Sequence, residues 1–213
     1  MRGATLAAVV LVALVAPAAA QSRHDQALSD LRRADDTEAR RAAVRALADT
    51  GVMADLPAMA SALRDSDAQV RALTEQAMWE VWSRTGDAEV DALFTRGVDQ
   101  LSMRQLDEAV QTFTRIIARR PDFAEAWNKR ATAYFVLGEY QKSLADCDEV
   151  MTRNPYHWGA LSGYGMIYVE LDQPGRAVEY FEKALAVNPN LTSVEQALET
   201  LRALLLQRRR EMI

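Results

Sequence analysis

Apolar residues in the middle of the chain recur at steps of three and four, the spacing of one face of an α-helix. Within residues 124–137 these positions are Trp127, Ala131, Tyr134 and Phe135. Gly138 follows at once, and glycine is the usual residue just beyond a helix end. A second amphipathic stretch occupies residues 140–152. The pattern therefore predicts two helices joined by a tight turn, each with one apolar face.

The same helical pattern returns with a period of 34 residues, marked by Pro121, Pro155 and Pro189. A shift by this period aligns residues of similar size in six further sets. They are Leu93, Trp127 and Leu161; Gly97, Ala131 and Gly165; Gln100, Tyr134 and Tyr168; Ala109, Ser143 and Ala177; Phe113, Cys147 and Phe181; and Ile116, Val150 and Ala184. Gln100 and Cys147 are exceptions, since each replaces an aromatic residue of the other two units. The period predicts three stacked helix pairs, because one pair alone leaves apolar faces uncovered.

This register resembles the tetratricopeptide repeat, whose pattern is a bulky residue, a small residue, Tyr, Ala, Phe, Ala and Pro. The resemblance extends from about Val90 to Pro189. It implies an all-α fold, a right-handed α-solenoid of three helix pairs. It also implies a scaffold that binds other proteins and seldom catalyses a reaction.

The first 20 residues have the organisation of a cleaved signal peptide. Arg2 provides a positive start, residues 6–16 an apolar core, and residues 18–20 a small-residue cleavage site. Pro17 interrupts the apolar run before the roughly 20 residues that a membrane-spanning helix needs. We therefore predict cleavage after Ala20, no stable membrane insertion of the mature chain, and a periplasmic or secreted location, on the assumption of a bacterial source.

Residues 21–86 are predicted to be helical without following the period. The fragments AVRALADTG and LRDSDAQVRALTEQAM resemble HEAT-like repeats, with Asp65, Ser66 and Asp67 as candidate caps of the next helix. The alternative is an irregular helical cap over the first repeat. Residues 87–189 then hold the three repeats, and residues 190–213 a final helix that is expected to cap the last one. Its apolar stripe consists of Val194, Leu198, Leu201 and Leu205.

Charge and residue chemistry argue against several classes of function. The 213 residues include 25 basic and 30 acidic ones, a net charge of −5, and the sequence pI is about 5.2, whereas nucleic-acid-binding domains more often exceed about 9. Cys147 is the single cysteine, and its register places it in a helical core. The two histidines, His24 and His157, lack metal-site spacing, and no phosphate-binding or nucleophile motif occurs. We therefore predict no nucleic-acid partner, no catalytic residues, no metal and no cofactor.

The resemblance also assigns a binding surface, because the first helix of each tetratricopeptide pair lines a concave groove. The matching positions are Phe94, Val98 and Leu101 in the first repeat, Glu125, Asn128, Thr132 and Phe135 in the second, and Ser162, Met166 and Val169 in the third. An Asn side chain can both donate to and accept from a peptide backbone, and the apolar residues suit apolar side chains of a bound segment. For Phe94 and Leu101, packing against the chain itself is an equal alternative.

Repeats that bind the C-termini of chaperones hold a terminal carboxylate with a clamp of Lys, Arg and Asn. Phe94 and Val98 stand where that clamp has Lys and Asn, so this mode is not expected. The sequence thus predicts a non-enzymatic scaffold or adaptor that binds a protein or peptide in its groove, with cell-envelope assembly as a candidate role. The alternative is an accessory subunit of an envelope enzyme, or a small enzyme without a recognisable motif.

Overall fold

The computed structural model describes residues 20–33 and 35–211, apart from the side chain of Arg209. The predicted signal peptide thus lies outside the described residues, except for its last residue. Within them every regular element is helical, as predicted, and no β-strand is present. None of these helices is both long and apolar enough to cross a bilayer. The chain divides into two compact units, one up to Trp82 and one from Ser83.

The first unit is a small helical bundle. Its elements are α1, described over residues 20–30, α2 (Thr37–Thr50), a 3₁₀ turn (Met53–Asp55), α3 (Leu56–Ala62) and α4 (Ala68–Ser83). Its largest fully buried side chains include Leu47, Leu56, Met59, Leu63 and Met78. These residues come from α2, α3, α4 and the residue after α3, so the unit has an apolar core of its own.

Two arginine–aspartate pairs join α2 to the turn before α4. Arg40 donates Nε and Nη2 to Asp65 at 2.7 and 3.0 Å, and Arg41 makes the same two-point contact with Asp67. Asp67 also accepts the backbone N–H of Val70 at 2.9 Å and so caps α4, as predicted. The hydrogen bonds from Arg41 and Val70 lower the pKa of Asp67 to about 2. The HEAT-like character of this unit stays a prediction.

The second unit is a series of helix pairs. They are α5 (Ala88–Ser102) with α6 (Leu106–Arg119), α7 (Ala124–Val136) with α8 (Tyr140–Arg153), and α9 (Trp158–Glu170) with α10 (Pro174–Val187), followed by α11 (Thr192–Glu211). Each helix contacts the next, and α7 also contacts α5 and α9. Helices α5, α7 and α9 therefore lie side by side, and their partner helices α6, α8 and α10 lie behind them. This is the predicted α-solenoid of three helix pairs.

The first and third pairs are closed by a phenylalanine ring against a glycine. Gly97 of α5 lies over Phe113 of α6, and a Cβ atom on Gly97 would stand 2.7 Å from the ring. Gly165 of α9 has the same relation to Phe181 of α10. Only a residue without a side chain permits this close approach, which explains the two glycines of the period.

The middle pair departs from this arrangement. Ala131 of α7 and Cys147 of α8 occupy the two positions and share one buried cluster. A thiol is smaller than a phenyl ring, so the facing helix accommodates a methyl group. The smaller Cys147, in place of phenylalanine, is thus matched by the larger Ala131, in place of glycine.

Two prolines of the period follow buried asparagines in the turns between pairs. Asn154 accepts the backbone N–H of Tyr156 at 3.1 Å, and Asn188 accepts that of Asn190 at 3.0 Å. Both asparagines are fully buried. Each forms an Asx turn that ends one pair and directs the chain into the next helix.

Helix α11 packs on the third pair through its predicted apolar stripe. Val194, Leu198 and Leu201 are buried in the same cluster as Phe181, and Leu205 is half-buried. The apolar face of the last pair is therefore covered by α11.

Candidate functional site: a groove between α7 and α9

Five of the ten predicted groove residues line one concavity between α7 and α9. Asn128, Thr132 and Phe135 belong to α7, and Ser162 and Met166 to α9. The other lining residues are Ala131, Ser143, Cys147, Gly159, Gly163 and Ile167. Together these residues line a cavity of about 140 Å³ that is open on one side. The structure brings these five residues together, and their role in binding stays a prediction.

Small residues distinguish the packing layer between α7 and α9 from the layer between α5 and α7. Cys147 stands where α6 has Phe113, while Gly159 and Gly163 stand where α7 has Glu125 and Lys129. The ring of Phe113 is fully buried in the cluster of the first pair. Its absence from the middle pair leaves space beneath α7 and α9. The cavity therefore follows from departures within the repeat and not from the repeat itself.

The hydroxyl groups around the cavity are already hydrogen-bonded to the protein. Ser143 donates Oγ–H to the carbonyl of Ala131 at 2.7 Å. Thr132 and Ser162 donate to the carbonyl groups four residues earlier in their own helices, at 3.0 and 2.8 Å. Their donors point into helix backbone, so the wall presents mainly apolar surface. Ser162, one of the predicted groove residues, thus uses its hydroxyl hydrogen within its own helix.

Glu125 does not reach the open groove. Its side chain is fully buried, and its Oε2 lies 2.7 Å from Nε2 of His157. Its Oε1 lies 3.0 Å from Nζ of Lys129 and accepts Nδ2–H of Asn128 at 3.1 Å. The structure therefore corrects the assignment of Glu125 to the groove surface. It also shows Asn128 as 8% exposed, with a donor engaged by Glu125.

His157 connects this buried carboxylate to the start of α9. Its Nδ1 accepts the backbone N–H of Ala160 at 3.0 Å, so the ring caps the helix. With Nδ1 as acceptor, geometry assigns the proton to Nε2, which donates it to Glu125. Burial alone would raise the pKa of the Glu125 carboxyl, but the His157 hydrogen bond and the Lys129 charge outweigh it and hold this pKa below its ordinary value. The sequence places His157 at a helix start and gives no sign of this partner 32 residues earlier.

The remaining predicted residues lie outside the cavity. Three from the first repeat are partly buried against their own cluster, namely Phe94, Val98 and Leu101. The ring centroid of Phe94 is 6.0 Å from that of Phe113 and 5.2 Å from that of Phe123. Internal packing is therefore the better description of Phe94 and Leu101. Val169 lies on α9 with 42% of its surface exposed.

Cys147 belongs to the cavity wall but is not a reactive thiol. Burial, together with the Asp146 and Asp148 carboxylates, raises the pKa of this thiol to about 12. The thiolate is the nucleophilic form, so Cys147 is inert near neutral pH. Across the described residues, no three His, Cys, Asp or Glu side chains are grouped to hold a metal ion. The arrangement is suited to contact by shape and apolar surface.

The helix pairs have counterparts in known proteins. The tetratricopeptide repeat family matches residues 94–157 and 158–191. These residues form tetratricopeptide repeats. A TPR repeat-containing protein of Rhizobium etli is 33% identical over 116 residues, which are 54% of this chain and 57% of the relative. The outer membrane protein assembly factor BamD of Caulobacter vibrioides is 29% identical over 118 residues, 53% of this chain and 35% of that protein.

A solved tetratricopeptide domain has the same arrangement of helices. It is the first TPR of Spaghetti (RPAP3), bound to an HSP90 peptide, with a TM-score of 0.53 and 23% identity. The likeness covers 55% of this chain and 93% of that domain, and it shows the fold of the repeat region. The chain spans less than two thirds of the length of the two sequence relatives above.

Proposed function

We propose that this protein is an exported, non-enzymatic scaffold that binds a segment of a partner protein in the groove between α7 and α9, in the bacterial cell envelope. The observation that carries this proposal is the cavity in that groove. It is bordered by Met166, which is 47% exposed, and Val169, about one turn further along α9, is 42% exposed. Exposed apolar side chains beside a concave apolar site suit contact with another protein.

The comparisons support this proposal at the level of class. Tetratricopeptide repeats serve as protein-binding scaffolds, and the Spaghetti domain holds a peptide. BamD is by name a factor of outer membrane assembly, and the first 20 residues read as an export signal. Phe94 and Val98 replace the Lys and Asn of the chaperone clamp, so we expect recognition through side chains of the partner and not through its terminal carboxylate.

The export part of the proposal is tested by cell fractionation. The full chain with a C-terminal tag is expressed in a Gram-negative host, and the periplasmic and cytoplasmic fractions are compared by immunoblotting. We expect the tagged protein in the periplasm, with Gln21 as the first residue on N-terminal sequencing. An uncleaved protein in the cytoplasm would contradict export and leave the groove proposal standing.

The groove is tested with two double variants of matched chemistry. Thr132→Arg/Met166→Arg places two bulky charges at the cavity, at exposed positions of α7 and α9. Met103→Arg/Thr152→Arg makes the same changes at exposed positions that do not line it. Partners cross-linked to wild type are identified, and a synthetic segment of each is titrated by calorimetry. We expect at least tenfold weaker binding for the groove variant and wild-type binding for the control; equal binding by both variants would refute the proposal.

A further inference from the structure

The cavity between α7 and α9 lies where the other two pairs carry an aromatic ring. In those pairs the rings of Phe113 and Phe181 press against a glycine of the facing helix. In the middle pair the corresponding residues, Ala131 and Cys147, both line the cavity. The vacant volume is therefore the place of one missing side chain, in a groove that faces outward.

The walls of this cavity carry no charge. All eleven described residues that line it are apolar or neutral polar. The Ser143, Thr132 and Ser162 hydroxyl hydrogens are donated to carbonyl groups of the chain itself. The Cys147 thiol is protonated near neutral pH. A charged guest would lose its hydration here without gaining a partner, whereas an apolar guest would lose nothing.

The size of the cavity narrows the class of guest. Its volume is about 140 Å³, and an apolar protein cavity of about 150 Å³ holds a benzene molecule. Leucine, methionine and phenylalanine side chains have comparable bulk. Glycine and alanine would leave most of the volume empty and would gain little from burial.

We infer that this cavity receives one leucine, methionine or phenylalanine side chain of the bound partner segment, and that Cys147 sets this specificity. The inference rests on the proposed function, because it assumes that a segment lies in the groove. The partner then supplies the ring or aliphatic group that Phe113 and Phe181 supply from within the chain in the neighbouring pairs. Binding would complete the middle pair in the way that its neighbours are already complete.

The test uses peptides selected on the purified full-length protein. A phage library of random twelve-residue peptides is selected on immobilised wild type, and the tightest peptide is resynthesised with each residue in turn changed to Ala. Affinities are measured by fluorescence anisotropy. We expect one Leu, Met or Phe whose replacement weakens binding about tenfold or more, the effect of burying one large apolar side chain.

Two variants fill the cavity from different walls. Ala131→Gly/Cys147→Phe rebuilds the glycine–phenylalanine contact of the other pairs. Gly163→Leu fills from α9, where a new Cβ would stand 3.7 Å from Sγ of Cys147. Gly175→Leu makes the same change in α10, where a Cβ meets nothing within 4 Å. Thermal melting of each variant confirms that it folds.

We expect both filled variants to bind the peptide at least tenfold more weakly, and Gly175→Leu, which lies outside the cavity lining, to bind it like wild type. The alanine-substituted peptide should bind wild type and Ala131→Gly/Cys147→Phe equally. If the anchor residue contributes as much in both filled variants as in wild type, the cavity inference is overturned and the groove proposal survives. If selection on wild type yields no binding peptide, both the cavity inference and the groove proposal are contradicted. A wild-type dimer that the filled variants dissociate on sedimentation would replace the partner with a second copy of this chain.

Discussion

The layer between α5 and α7 and the layer between α7 and α9 are built on the same 34-residue register, and their interiors differ. In the first, Phe113 is fully buried and its ring lies edge-on to that of Phe94. In the second, Cys147 holds the same position and a cavity of about 140 Å³ lies beside it. A repeat array can therefore keep its fold while one layer gives up an internal side chain. Cys147, which departs from the repeat pattern, is also the residue that gives the groove between α7 and α9 its cavity.

The largest expected loss of stability comes from removing the Phe113 ring from the layer between α5 and α7. Phe113→Ala should lower the free energy of unfolding by about 3–5 kcal/mol, because a buried ring is lost and the surroundings relax only partly. Cys147→Ala, at the equivalent position, should cost no more than about 1 kcal/mol, since it removes one atom beside an existing cavity. Urea unfolding followed by circular dichroism measures both. Equal losses would show that the two layers are equally packed.

Removing the His157 side chain should affect the second layer most. His157→Ala removes the hydrogen bond to Oε2 of the buried Glu125 carboxylate and takes away the cap of α9, which should together cost about 3 kcal/mol. His157→Asn keeps a capping side chain and should recover part of this loss. Hydrogen exchange should show lower protection in α9 than in α5. Uniform loss of protection across α5 to α10 would contradict a local role.

Adding one methyl group should have opposite signs in the two layers. Gly97→Ala places a Cβ 2.7 Å from the Phe113 ring, and such overpacking should cost about 1–3 kcal/mol. Gly163→Ala places it 3.7 Å from Cys147 Sγ, an ordinary contact, and should add up to about 1 kcal/mol through helix propensity. Thermal melting of both variants checks this. A loss of stability in Gly163→Ala would mean that the cavity has less room than the structure shows.

The smallest expected effect is on the free energy of unfolding at acidic pH. The folded-state pKa of Glu125 lies below its ordinary value of 4.5, so the stability from its charged form is complete above that pH and declines as the pH falls through the lower, folded pKa. Glu125→Gln lacks this titration, so its free energy of unfolding should fall less steeply than that of wild type in that range. Urea unfolding at several pH values compares the slopes. Parallel slopes would exclude a stabilising charge on Glu125.

The helix pairs were predictable because their signals are local and repeated. Spacing of residues such as Trp127 and Ala131 defines a helical face, and Gly138 ends the first helix of its pair. The predicted helices over 124–137 and 140–152 correspond to Ala124–Val136 and Tyr140–Arg153. The burial of Asn154 and Asn188 was not predicted, because it depends on the helices that pack around each turn and not on local spacing.

The site was only partly predictable, because its details depend on contacts between repeats. Residues such as Thr132 and Met166 follow from register, since a helical face is fixed by spacing alone. The path of the Glu125 side chain depends on His157, 32 residues away, and no spacing rule links the two. The exception at Cys147 was visible in the sequence, but the cavity also needs Gly159 and Gly163 opposite it, which only the folded chain places there.

The bond between Glu125 and His157 also sets how the groove can change its width. It ties the first turn of α7 to the start of α9, deep in the protein. At the other end of α9, its last residue, Glu170, accepts a hydrogen bond at 3.3 Å from the hydroxyl of Tyr140, the first residue of α8, in an exposed position. A guest that needs more room would therefore meet the least resistance at the end of the groove away from the buried pair, past Met166.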